Sequence, residues 1–123
     1  MHILIAGSRS WTDYNKLVAT LDDFIATADA SEIVIVSGGA KGADNLAEKY
    51  AKERGYELLV MPADWERYGK SAGYRRNEEM HKTIAKDTNR ACICFWDGKS
   101  KGTAHNFELS KKYNTPLLVV KGE

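Results

Sequence analysis

Proline is scarce: the 123 residues hold only Pro62 and Pro116. With no repeat and no low-complexity tract either, the chain contains no stretch that reads as a linker. Cysteine is scarce too, and both copies, Cys92 and Cys94, stand in one Ala-Cys-Ile-Cys-Phe-Trp run. On a strand, side chains at i and i+2 point the same way but stand too far apart for good disulfide geometry. Free buried thiols are the better reading, and they fit a reducing, cytoplasmic setting. A two-cysteine metal site lacks further ligands nearby, so neither metal nor cofactor is expected. Net charge is nearly absent: 18 basic against 17 acidic residues leave +1. That excludes coating nucleic acid through bulk charge, though not a small, locally basic phosphate site. No apolar run reaches the roughly 18 residues of a membrane span. The stretch Met1–Gly7 is too short for a signal peptide and lacks a basic n-region.

A content of 43% hydrophobic and 28% charged residues is that of an ordinary globular protein. The length fits one domain over residues 1–123. Five short apolar runs, Ile3–Ala6, Glu32–Val36, Glu57–Met61, Ala91–Trp96 and Leu117–Val120, read as strands, several of them buried on both faces. Helical stripes lie between them. Tyr14, Leu17, Val18, Leu21, Phe24, Ile25 and Ala28 form one, with Thr12 as the expected N-cap. Ala43, Leu46, Ala47, Tyr50 and Ala51 form the next, ending at Gly55. Further helices are expected over Ala72–Lys86 and from about Thr103 to Tyr113. This alternation predicts an α/β, Rossmann-like domain: a five-stranded parallel sheet with helices on both faces. The segment Pro62–Gly73 is longer than connections in compact domains usually are, which points to a functional loop.

Ligands of open parallel sheets bind outside the carboxyl ends of the strands. Three loops there share one chemistry. The first carries Gly7, Ser8, Arg9 and Trp11; the second Ser37, Gly38, Gly39, Lys41, Gly42 and Asp44; the third, after strand 4, Asp97, Gly98, Lys101, Gly102 and Thr103. Glycine admits close backbone approach, the free amides of a helix start favour an anion, and Arg or Lys supplies counter-charge. In the strand order 3-2-1-4-5 the strands bearing these loops are neighbours, and all three loops share one rim. In the order 2-1-3-4-5, strand 3 would separate strand 1 from strand 4. The coincidence favours the first. Neither loop is a GxGxxG or a Walker A: Ser37 opens one, and Thr103 follows the last glycine of the other.

Further bases and rings surround these loops: Lys70, Arg75, Arg76, Lys99, Trp65, Tyr68, Tyr74 and Trp96. The rings suit either stacking on a base or packing of long loops onto the sheet. Asp44 fits a helix cap or a ribose ligand, and Asp97 fits a loop-orienting or sugar-binding role. His105 is the best-placed acid or base, or else a surface histidine. No residue can be assigned a catalytic role from spacing alone.

The segments GSRSWTD, SGGAKGAD, ADWERYGKSAGYRRNEEM and FWDGKSKGTAH resemble the SLOG superfamily, and within it the small bacterial and phage YspA-type branch. The resemblance runs from about Ile3 to Val120. It implies a Rossmann-like fold and a nucleotide or nucleotide-derived ligand. Relatives include the Lonely Guy phosphoribohydrolases, the DNA-processing protein DprA and ligand-sensing domains of bacterial defence systems. An Arg-x-x-x-Met helix segment of the phosphoribohydrolases resembles Arg76–Met80, with Asn77 beside the arginine, and the Gly-Thr end of their glycine-rich loop resembles Gly102-Thr103. Where those enzymes carry a glutamate, this chain has Asn106. The resemblance thus implies phosphate and ribose binding by Arg76, Gly102 and Thr103. Relatives of the Lonely Guy type often dimerise, which implies a homodimer or higher homo-oligomer.

Two functions follow as expectations: a nucleotide sensor or sink, and a hydrolase cleaving an N-glycosidic or phosphoester bond in a nucleotide. A third, DprA-like DNA binding, fits a pI near 7.8 poorly.

Overall fold

The computed structural model describes residues 1–122. Its strands are β1 (His2–Gly7), β2 (Val34–Ser37), β3 (Glu57–Val60), β4 (Arg90–Trp96) and β5 (Leu117–Lys121). The helices are α1 (Tyr14–Thr27), α2 (Ala43–Arg54), α3 (Trp65–Tyr68), α4 (Ala72–Ile84) and α5 (Lys101–Lys112). All strand pairs are parallel, in the order β3-β2-β1-β4-β5 expected from the three loops.

Alternation along the strands divides the interior into two cores. Ile3, Ile5, Ile35, Ile93 and Phe95 face α1 and α2, where Leu17, Leu21, Ala47 and Tyr50 close the layer. Leu4, Ala6, Val36, Cys92 and Cys94 face the other way and pack with Met80 and Ile84 of α4. Leu17 and Leu21 are fully buried, and each such side chain contributes about 1.5–3 kcal/mol. The two thiols are buried, with sulfurs 3.8 Å apart.

Some local expectations are corrected. Asp13, not Thr12, caps α1: its carboxylate accepts from Lys16 N at 3.0 Å, and a carboxylate serves the helix dipole where a hydroxyl does not. Helix α5 begins at Lys101, ahead of Thr103, because Ser100 caps it. Burial on both faces holds for the central strands but not for β5, where Leu117, Leu118 and Val119 are 38–40% exposed. As an edge strand, β5 has a neighbour on one side only. Helix α2 ends as expected at Gly55, in the left-handed region. The long connection after β3 is partly ordered by α3 and a 3-10 turn at Gly69–Ser71.

Candidate functional site

Three loops leave the carboxyl rim of β1, β2 and β4, and one small residue ties them together. Ser8 is buried, and its amide donates to Phe95 O at 2.9 Å. Its carbonyl accepts from Trp11 N at 3.1 Å and from Ala43 N at 3.3 Å, and its hydroxyl accepts from Asp97 N at 3.0 Å. A hydroxyl of this size fits where a larger side chain would force the loops apart. Gly42 completes the junction. It has φ +79°, and a Cβ there would overlap the carbonyls of Ser8 and Arg9. Asp97 holds the third loop closed: its carboxylate accepts from Lys99 N and Ser100 N, each at 2.8 Å. Those two amides keep its pKa below the usual carboxylate range. Of the two roles open to Asp97, these bonds correspond to loop orientation.

The loops and α4 enclose an open cleft of about 430 Å³. Ala6, Gly7 and Met80 form its floor beneath the polar residues Arg9, Asp44, Arg76, Asn77, Asp97, Thr103 and Asn106, and Trp65, Lys70 and Tyr74 stand at its mouth. The cleft lies where β1 meets β4, the point at which the strand order reverses.

Arg76 is the cleft's central cation. Its Nη1 donates to Gly38 O and its Nε to Asn77 Oδ1 at 3.0 Å. The guanidinium lies so close to Gly38 that a Cβ there would overlap it. Burial lowers the pKa of Arg76, with Asp44 pulling the other way. Asp44 is the buried anion. Desolvation raises its pKa from 3.8 to about 6, against the Ala40 amide and the charge of Arg76. The carboxylate accepts from Ala40 N at 3.2 Å. Asp44 therefore closes its own loop and does not cap α2, whose N-cap is Gly42 with no side-chain bond. Among the described residues, none of Arg9, Lys70 and Arg76 forms an ion pair with a carboxylate.

The residues singled out by sequence divide into three groups. Gly7, Arg9, Asp44, Arg76, Asn77, Asp97, Gly102 and Thr103 line the cleft. Ser8, Ser37, Gly38, Gly39 and Gly42 do not reach it and shape the loops behind it; Ser37 Oγ, for example, accepts from Gly39 N and lies 2.8 Å from Glu48 Oε2. Trp11, Lys41, Gly98 and Lys101 lie away from it. Trp11 is 4% exposed, packs on Phe95 with ring centroids 5.4 Å apart, and belongs to the core. Lys41 and Lys101 are exposed, and Gly98 faces Lys121.

His105 also falls outside the cleft. Its Nδ1 lies 3.4 Å from Asn77 Nδ2, Tyr74 packs edge-on against its ring, and burial lowers its pKa. Sequence reasoning missed His81, which is fully buried with Nε2 2.9 Å from Asn106 Oδ1. Its place between Met80 and Ile84 on the apolar face of α4 was the available signal. Asn106 in turn reaches Gly102 O at 3.3 Å, so His81 braces the first turn of α5. Among the described residues no group of three or more His, Cys, Asp or Glu side chains is arranged to hold a metal ion, and no helix is long and apolar enough to cross a membrane.

A single parallel sheet in this order, with a polar cleft at its switch point, defines a Rossmann-like α/β protein. The chain belongs to the YspA, cpYpsA-related SLOG family (YAcAr), whose profile matches residues 1–68. It is 35% identical over 121 residues to the Gene 61 protein of Mycobacterium phage D29, covering 94% of this chain and 93% of that protein. Among solved structures, it resembles a predicted subunit of tRNA methyltransferase from Methanocaldococcus jannaschii, with 13% identity and a TM-score of 0.43. That likeness covers 97% of this chain and 67% of the other, and is too slight to bear on function.

Proposed function

We propose that this protein binds a small nucleotide-derived ligand in the cleft, as a sensor or a sink. The observation that carries this reading is the set of cations, Arg9, Lys70 and Arg76, left without carboxylate partners among the described residues around one cleft. Cations crowd there at a cost in mutual repulsion, and a phosphate would remove that cost. Trp65 and Tyr74 at the mouth offer faces for a base. The family membership supports the same ligand class. Thermal melts over a panel of nucleotides test it. A ligand present at 100 times its dissociation constant adds roughly 2.7 kcal/mol of stability. A flat response across the panel sinks the proposal.

A hydrolytic reading has one observation in its favour: Asp44 is a buried carboxyl group, with a pKa of about 6, in the same cleft. Such a group suits general acid work near neutral pH. If it acts so, incubation with a nucleotide that binds gives product by chromatography, and Asp44→Asn abolishes turnover while sparing binding. Persistent binding with no product leaves the sensor reading alone.

A further inference from the structure

A second cavity, of about 840 Å³, opens beside the first between the α3 segment and α4. Both volumes lie within the roughly 300–1,000 Å³ typical of small-molecule sites. Tyr74 and Arg76 line both cavities, so the divide between them is one layer of side chains thick. Each cavity has its own flat surface. In the first it is Trp65, 49% exposed, with the Arg9 guanidinium 6.0 Å from the ring centroid. In the second it is the Arg75 guanidinium, laid over the Tyr68 ring at 4.4 Å and held by Ser71 Oγ at 3.1 Å. The second cavity also holds a hydrogen-bond acceptor for an amino group, Glu79, whose carboxylate is only loosely engaged by Lys82 at 3.7 Å.

The sequence across the two cavities is therefore flat surface, cation, flat surface. A mononucleotide fills one flat surface and the cation and leaves the other bare. We infer that the ligand is a dinucleotide: one base beside Trp65, the bridging phosphate over Arg76, and a second base on the Arg75–Tyr68 pair. Guanidinium and aromatic planes accept any base face, so stacking alone does not choose the second base. Glu79 biases it toward one with an exocyclic amino group. This inference rests on the nucleotide reading above and extends it to a second subsite.

Isothermal titration tests it with AMP and GMP, and with phosphate-bridged dinucleotides carrying the same bases. The wild-type protein should bind a dinucleotide about ten-fold or more tightly than its mononucleotide, the scale of one stacked base. Arg75→Ala and Tyr68→Leu change exposed residues of the second cavity only. Both should erase that margin, leave mononucleotide affinity unchanged and melt like the wild type. Equal affinity for the two ligand sizes, or equal weakening of both by Arg75→Ala, overturns the second subsite while the nucleotide reading stands. If no probe binds at all, both fall together.

Discussion

The two ends of the sheet are built from the same kinds of residue and treat charge in opposite ways. At the amino end the charged groups beside β1 and β4 are met. The terminal ammonium of Met1 donates to Glu32 O at 2.8 Å, and His2 Nδ1 lies 2.8 Å from Asp87 Oδ2. The Arg90 guanidinium reaches Asp87 O at 2.9 Å, Thr115 Oγ1 at 3.0 Å and Tyr113 O at 2.8 Å. His2 and the Asn89 amide hold Asp87 below the usual carboxylate range. At the carboxyl end, Arg9 and Lys70 meet no carboxylate among the described residues, Arg76 is desolvated, and the pKa of Asp44 is raised. The first end is finished as a folded object. The second keeps cations without such partners among the described residues, and it is there that the proposed ligand would supply them.

The largest effect is expected where the network is closed. Arg90→Ala strips several partners at once and leaves the carbonyls of Asp87, Tyr113 and Asn114 short, which should cost about 2–4 kcal/mol. Denaturant melts measure it, and nucleotide affinity should not move. A neutral result would mean that the amino end is not the structural end.

Asp44→Asn should act with the opposite sign. With a folded pKa of about 6 against an ordinary 3.8, Asp44 binds its proton more readily in the native state. Its charged form therefore destabilises the empty protein above about pH 6, and that penalty fades as pH falls toward the ordinary value. Removing the charge should stabilise the protein by about 1–2 kcal/mol at pH 7, the net of desolvation against the Ala40 amide and Arg76. The difference from wild type should shrink to a small remainder by about pH 4, close to the ordinary value, where the folded carboxyl is neutral and the unfolded one about half so. Paired melts from pH 4 to 8 follow it. A variant less stable than wild type at pH 7 would show that the carboxylate serves the fold.

Arg76→Ala should separate the two ends most cleanly. Its melting temperature should stay close to that of the wild type, because relief of a desolvated cation offsets its lost attraction to Asp44 and its bonds to Gly38 O and Asn77 Oδ1. Nucleotide affinity should fall about 10- to 100-fold, the scale of a charge-assisted hydrogen-bond pair. Large destabilisation with binding intact would place the site elsewhere.

Most of the fold was legible because its signals are local and repeated: apolar runs, helical stripes, and glycine where α2 stops. The strand order came from a coincidence of three loops, which only one common topology brings to one rim. The candidate site was legible as a set of loops but not residue by residue. An aromatic after a Gly-Ser loop reads alike whether it stacks on a ligand or roofs a core. For Trp11, what decides is Phe95, remote in sequence and packed against it in space. His81 was opaque for the converse reason: its partner Asn106 stands on another helix, and no spacing links them.

Lys101→Ala carries the smallest expected effect. A lysine between Gly98 and Gly102 of the third loop suggested a phosphate ligand, but the structure turns its side chain outward at the start of α5. Helix geometry explains why: Ser100 caps the helix and Thr103 is buried on the cleft side, so position 101 is carried round to solvent. An exposed lysine there can steer an anion only through screened, long-range attraction, which shrinks further as salt is added. Affinity should therefore fall less than about three-fold at low salt and not at all at physiological salt. A ten-fold loss that survives salt would mean that Lys101 folds back over bound ligand, and that the rim closes on what the cleft holds.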